Sequence, residues 1–368
     1  MLKKFLVLVI LLMMGRAEAA GWSPELRIGL LNGVEQVTLK VSAPCIMIDA
    51  ASGKTLKKIS ADKELVIQAA KIKCDAVEIR PEKIKLKDLE TTIDGKKYFG
   101  GVRLNKVEKK FTVINLATLE EYLRGVVPEE MSPSYPLEAL KAQAVAARSF
   151  ALKNRDKHKA DGFDLCATTH CQVYVGAKGA ADSDKAIKET CGEILTYKNK
   201  LIETSFHADS GGMTENVADV WGRNLPYLAA VKEIIQLGEP WTVKFTAKDF
   251  SSRFGDNFGE VKSIKLSKLK IGKSANDRTS SGRVKFAQIV GSKRTLTLEG
   301  TELRRKFSLP STLFDMKLEG NEVIFTGYGR GHGVGMSQKG AKSYAENGWS
   351  YEKILTHYYR DAKLKKLY

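Results

Sequence analysis

The sequence predicts an α+β protein with a β-rich N-terminal part, a mixed core carrying a few helices, and an inserted basic α/β segment. Three observations predict it. Residues 26–115 alternate apolar and polar side chains at the period of a half-buried strand, most plainly at Val37, Leu39 and Val41. In LEALKAQAVAARSFALKNRDKHK, by contrast, Leu137, Leu140, Ala144, Ala147 and Ala151 recur at three- and four-residue steps, giving one apolar helical stripe. Residues 241–320 stand apart by charge, with 17 basic against 8 acidic residues. The boundaries expected are 1–19, 20–115, 116–240, 241–315 and 316–368.

The chain of 368 residues, 43% apolar and 28% charged, can support a substantial core, which excludes disorder, collagen and a small disulfide-stapled scaffold. Its net charge of +17 points to an anionic partner: nucleic acid, a membrane surface or an anionic polymer. The first nineteen residues narrow that set. Lys3 and Lys4, the apolar run Phe5 to Met14 and the Ala17-Glu18-Ala19 site have the anatomy of a secretory signal peptide. Its apolar run is short against the roughly 20 residues a membrane span needs. We therefore expect an exported protein of the periplasm, cell wall or cell surface, with no nucleic acid as partner and membrane contact only through an uncleaved signal. Removal of the leader leaves +15, over half of it in the basic segment.

Export also changes how the five cysteines read. Cys45 and Cys74 suit a disulfide, and the odd total leaves at least one thiol free or metal-bound. In CATTHC, Cys166, His170 and Cys171 suit zinc, with His158 or His207 completing four ligands. A small Cys166–Cys171 disulfide competes with that reading, and a nucleophilic Cys171 or Cys191 is weaker because no residue order enforces it.

Thr118 followed by Glu121 predicts a capping box opening a short helix that Gly125 ends. Next, VVPEEMSPSYP places Glu129 and Glu130 in a Pro-punctuated loop beside Val126, Val127 and Met131. A carboxyl held against apolar walls has a raised pKa and can serve as a general acid; solvated loop glutamates are the plain alternative. From Thr196 to Thr214 a strand with Leu201, Ile202 and Phe206 runs into the SGG turn of FHADSGGMTE, which brings Ser210, Gly211 and Gly212 close to a ligand or forms a structural turn. The loop GYGRGHGVGMSQKG is no dinucleotide fingerprint, since in frames opening at Gly327, Gly329 or Gly331 the last glycine position falls on His332, Val334 or Met336. Helices near Ala341–Glu346 and Ile354–Tyr359 follow.

These strings resemble the SpoIID/LytB family of bacterial peptidoglycan-active proteins. The resemblance rests on LEEYLRGVVPEEMSPSYPLEALKAQAVAARSFAL, THCQVYVG, FHADSGGMTE with DVWG, SGRV with LRRKFSLPSTLF, and GRGHGVGMSQKGAKSYAENGWSYEKILTHYY, within residues 117–360. It implies an exported lytic transglycosylase that cuts between N-acetylmuramic acid and N-acetylglucosamine, with sporulation members preferring strands stripped of peptides. The family's catalytic glutamate aligns with Glu130, although Ser132 and Tyr135 stand where Pro and Trp are usual. Family zinc ligands match Cys166, His170 and Cys171, with His158 upstream. His207, Ser210, Gly211, Gly212, His332 and Gln338 are expected to line the glycan groove, and the basic segment to meet anionic wall polymers. The implied partners are peptidoglycan strands and a cell-wall amidase, because LytB-type members are described as enhancing one; a non-catalytic enhancer is the alternative.

Overall fold

The computed structural model describes residues 23–234 and 238–368, so the leader expected at 1–19 lies outside the described residues. Among them no helix is long and apolar enough to cross a membrane. The chain divides into two compact units, one running to Glu203 and taking back Leu364–Tyr368, the other Thr204–Lys363.

The first unit holds the predicted β-rich part. A seven-stranded sheet has the order Leu165–Cys166, Glu25–Val34, Lys110–Thr118, Gly101–Val107, Ala76–Pro81, Cys45–Asp49, Thr55–Ile59. Its pairings are antiparallel except at the short edge, where Ile28 lies opposite Leu165 in a parallel pair. A four-stranded sheet contains Gln36–Val41, in which Val37, Leu39 and Val41 are buried while Gln36 and Lys40 are exposed. The pattern read from sequence is therefore the pattern that packs. Cys45 faces this core and Cys74 lies in a turn; all five cysteines are free thiols, so the Cys45–Cys74 disulfide is not formed.

Among the described residues three α-helices cover the unit: α1 (Leu119–Glu130), α2 (Leu137–Lys153) and α3 (Ala181–Glu189). The capping box at α1 does not form, because Thr118 is still paired with Glu25 in the sheet and its side chain makes no cap bond. Nor does Gly125 end the helix. A methyl group there would lie 2.4 Å from the Gly176 carbonyl and 2.5 Å from the Tyr174 ring, so this glycine lets another segment press onto the helix. α2 is buried on more than one stripe, since its alanines admit α1, α3 and strand Glu193–Tyr197 from several sides. Arg148 on α2 is fully buried and satisfied by a bidentate pair with Glu120 at 2.8 Å and by the carbonyls of Glu193 and Ile187. The strand expected from Thr196 is broken by a turn in which Lys198 and Asn199 both have positive φ, as a tight hairpin demands.

The second unit begins with a two-residue parallel pair of Phe206–His207 with Met336–Ser337 and the short helix α4 (Val217–Trp221). The segment expected to be basic and α/β does mix helices with strands, but its sheets are antiparallel. Two three-stranded antiparallel sheets, one of Trp241–Thr246, Glu322–Gly327 and Phe314–Glu319, the other of Val261–Lys265, Phe286–Gly291 and Thr295–Glu299, carry α5 (Ala247–Ser252) and α6 (Gly300–Lys306). Their core is aromatic, with Phe250 stacked on Phe307 at 4.8 Å and Phe314 and Phe325 fully buried. Helices α7 (Gln338–Glu346) and α8 (Tyr351–Tyr358) follow, capped by the Ser337 and Ser350 hydroxyls.

Candidate functional site

Glu129 and Glu130 do not sit in a loop: α1 runs through Pro128 and both glutamates form its last turn. Pro128 has no N–H to offer the Arg124 carbonyl, so the last turn lacks that bond, yet the helix continues for two more residues. Glu129 pairs with Lys178. Glu130 is half-buried, and its Oε1 accepts a hydrogen bond from the Val173 N–H at 3.0 Å. Neighbours fix that donor. The buried Tyr122 hydroxyl donates to Gln172 Oε1 at 3.2 Å, and the Tyr174 hydroxyl donates to Asn115 Oδ1 at 2.7 Å. Asn115 in turn donates to the Phe99 and Gly101 carbonyls of the sheet, so residues 172–174 hang from the sheet and hold one backbone donor against the end of α1.

The same segment begins at the His/Cys cluster. The ligand atoms of His158, Cys166, His170 and Cys171 all lie within 4.8 Å of one another. His170 Nδ1 is 3.2 Å from His158 Nε2, 3.7 Å from Cys166 Sγ and 3.8 Å from Cys171 Sγ. The Cys166–Cys171 disulfide is not formed. Desolvation pushes the Cys166 thiol up, but hydrogen bonds from Thr168 and His170 bring it down to about 6, whereas burial lifts Cys171 to about 11. Two thiols and two imidazoles at this separation could hold a metal ion, and Asp161 lies 2.8 Å from His158 Nδ1, the ring nitrogen that does not face the cluster. His158 rather than His207 completes the set. A cavity of ≈ 800 Å³ adjoins it, lined in part by His158, Phe163, Cys166 and Thr168.

In the second unit the glycine-rich strings interlock. His207 is buried; its Nδ1 donates to the Val334 carbonyl at 3.1 Å, which leaves Nε2 as a lone-pair acceptor with no partner. His332 Nδ1 accepts from the Val334 N–H at 3.0 Å, and its ring lies 5.4 Å from His207 and 5.1 Å from Trp221, which is 40% exposed. Desolvation lowers His332 to about 4 and His207 well below its usual value, with Arg283 acting in the same direction, so both rings are neutral near pH 7. Ser210 is fully buried and donates to the Glu233 carboxylate, which also accepts from Tyr358 at 2.5 Å. Gly211 and Gly212 have φ of +73° and +100°, the left-handed region that glycine alone enters freely. Arg283 donates to the Ser210 and Met213 carbonyls at 2.7 and 2.9 Å, and a methyl group on Gly333 would lie 2.6 Å from its guanidinium. Gln338 is buried at the first turn of α7, its Nε2 unpartnered.

Sequence reasoning missed Glu233, Arg283 and Asp161. The first two carried no local signal, because their main partners are distant in sequence: Ser210 and Tyr358 for Glu233, and the Ser210 and Met213 carbonyls for Arg283. Asp161 stands three residues after His158, a spacing that could have exposed it.

A family model described as stage II sporulation protein matches residues 107–197, and one described as a domain of unknown function (DUF8618) matches residues 239–335. The chain is 34% identical to stage II sporulation protein D of Bacillus amyloliquefaciens over 67% of its own length and 74% of that protein. It is 36% identical to an uncharacterized protein of Brachyspira hyodysenteriae, covering 73% and 72% of the two chains. It is 31% identical to the amidase enhancer of Bacillus subtilis, covering 77% of this chain but 46% of that protein.

Proposed function

The chain belongs to the stage II sporulation protein D family, and from that premise we propose that it is an exported lytic transglycosylase acting on peptidoglycan glycan strands. The observation that carries the reading is Glu130, a half-buried carboxylate held at the end of a helix by one fixed backbone donor inside the family-matched stretch. A hydrolase needs a second carboxylate to activate water or trap the sugar. A lytic transglycosylase uses the substrate's own 6-hydroxyl as nucleophile. One glutamate then protonates the leaving glycosidic oxygen and afterwards takes the proton of that hydroxyl, closing a 1,6-anhydro ring on the muramic acid. Two acids beside the SGG turn are held in other bonds: Glu215 accepts from Thr279, Ser281 and Asn216, and Asp209 pairs with Lys339 at 3.1 Å.

Zinc held by His158, Cys166, His170 and Cys171 would supply a structural clip. These residues would tie down the segment leading to Val173, so that the N–H on Glu130 keeps its aim. In the second unit, the exposed Trp221 face and the bare His207 Nε2 suit a sugar ring and a sugar hydroxyl.

Digestion of purified sacculi with mass spectrometry of the released sugars tests the reading. We expect 1,6-anhydromuramic ends from strands lacking stem peptides; reducing ends would replace it with a hydrolase, and freed peptides with an amidase. The likeness to an amidase enhancer supports a second reading, for which the outcome is no product of its own but stimulation of an added amidase. Metal analysis of protein purified without chelator should find about one zinc per chain; a metal-free protein would remove the clip.

A further inference from the structure

The other end of α1 carries a second site. Glu121 lies nine residues before Glu130, about 13 Å along a helix axis. There a cavity of ≈ 520 Å³ opens between α1, α3 and the turn around Leu86, within the range of small-molecule sites. Three oxygens of its lining residues, Thr118 Oγ1, Glu121 Oε2 and Asp184 Oδ1, are buried without a hydrogen-bond partner. Arg124 binds Asp184 through Oδ2 alone, at 3.1 and 3.2 Å, which leaves Oδ1 unused. Buried acceptors in native proteins find donors, and two of these three belong to carboxylates, so the missing donor is best a cation. Burial lifts the Glu121 carboxyl to about 7, the state of an acid that a bound ammonium would ionise. Above these groups the mouth is basic, with exposed Lys85, Lys87 and Lys188, while Leu86, Ile187 and the Tyr368 ring supply apolar wall.

We propose that this cavity binds a short amino compound bearing a free amine and a free carboxylate, such as a peptide of one to three residues. The amine would donate to Glu121 and Asp184 at depth, and the carboxylate would meet the lysines at the mouth. The proposal does not depend on glycan cleavage, and it gives α1 a ligand at one end and the candidate acid at the other.

Titration calorimetry on the full chain tests it with three probes: the tripeptide L-Ala-γ-D-Glu-meso-diaminopimelate, its form acetylated on both amines, and 1,5-diaminopentane. We expect saturable one-site binding of the tripeptide. Binding should be about tenfold weaker or worse for the acetylated form, and likewise for Glu121→Gln, because each removes a charge-assisted hydrogen bond. Lys188→Ala, an exposed change that leaves the core intact, should weaken the tripeptide about threefold and diaminopentane not at all. No saturable binding, equal binding of the acetylated form, or undiminished binding by Glu121→Gln would overturn the proposal. Diaminopentane binding as tightly as the tripeptide would do the same, by removing the carboxylate from what is recognised. Glu130→Gln should bind the tripeptide like the unaltered protein whether or not that protein cuts glycan, so the two readings fail separately.

Discussion

The acids of the two units are used in opposite ways. In the second unit Glu215 and Glu233 are 1% and 6% exposed and take hydroxyl donors from Thr279, Ser281, Ser210 and Tyr358. Each ties together segments far apart in sequence and has little freedom to exchange a proton. In the first unit Glu130 is half-buried at a helix end, and Glu121 keeps an oxygen without a donor beside a cavity. A carboxylate sealed by hydroxyls acts as a strut; one left partly open at a cavity or helix end can receive a ligand or move a proton. Glycines do not divide this way: Gly125 in the first unit makes room for Tyr174 and Gly176, as Gly333 in the second does for Arg283 and Gly335 for the Ser205 carbonyl.

The contrast breaks first if function and stability do not separate. Glu130→Gln should lower formation of anhydro ends by ~10²–10⁴-fold, the share of a positioned acid/base, while the melting temperature stays unchanged. Equal loss in Glu129→Gln alone would move the role by one residue. Gly335→Ala should do the reverse. Its added methyl would lie 2.0 Å from the Ser205 carbonyl at a φ of +72°, and we expect a loss of about 3 kcal/mol in denaturant unfolding.

The pH dependence sharpens the contrast, because the two units lean opposite ways. Burial raises Glu121 to about 7 from the usual 4.5, against Arg124 and Lys87 and with Glu120 adding to the rise. The folded state therefore holds this proton more tightly than the unfolded one, and stability falls as pH rises from about 4.5 to about 7, by up to about 3 kcal/mol. Glu121→Gln should flatten that slope and stabilise the protein at pH 8. His332 goes the other way: with its pKa lowered to about 4, the neutral ring is the folded form, and stability is lost as pH falls from about 6.5 towards 4. Protonation there would also cost the hydrogen bond from the Val334 N–H. Unfolding followed across pH by a probe in each unit checks both signs. The smallest effect is at the surface: Trp221→Ala should change stability by less than about 0.5 kcal/mol and weaken glycan-fragment binding roughly tenfold.

Strand alternation at Val37–Val41, the α2 stripe and the close-set Cys166, His170 and Cys171 were legible because each is a local pattern whose period or spacing is its own physical cause. The end of α1 was not. Gly125 and Pro128 both read as helix stops, but Tyr174 and Gly176 pack against the helix there, and tertiary contact carried it two residues past the proline. The Thr118 capping box failed for a related reason: strand Lys110–Thr118 runs into α1 without a turn, so Thr118 keeps its sheet partner. Ser210 and the SGG turn read locally as a structural turn that could also approach a ligand, and the Glu233 hydroxyl clasp that occupies Ser210 comes from residues 23 and 148 positions away.

The last strand of the chain, Lys363–Lys366, lies beside Glu193–Tyr197, and the Tyr368 hydroxyl donates to Glu120, the partner of Arg148. A ribosome or a translocation channel delivers the chain in order, so the first unit waits, with this edge open and this carboxylate incompletely bonded, while all 160 residues of Thr204–Lys363 pass. The second unit has its own aromatic core and is free to finish before the first. Vectorial synthesis thus leaves the earlier-made unit open until Leu364–Tyr368 arrives, and that segment acts as its latch.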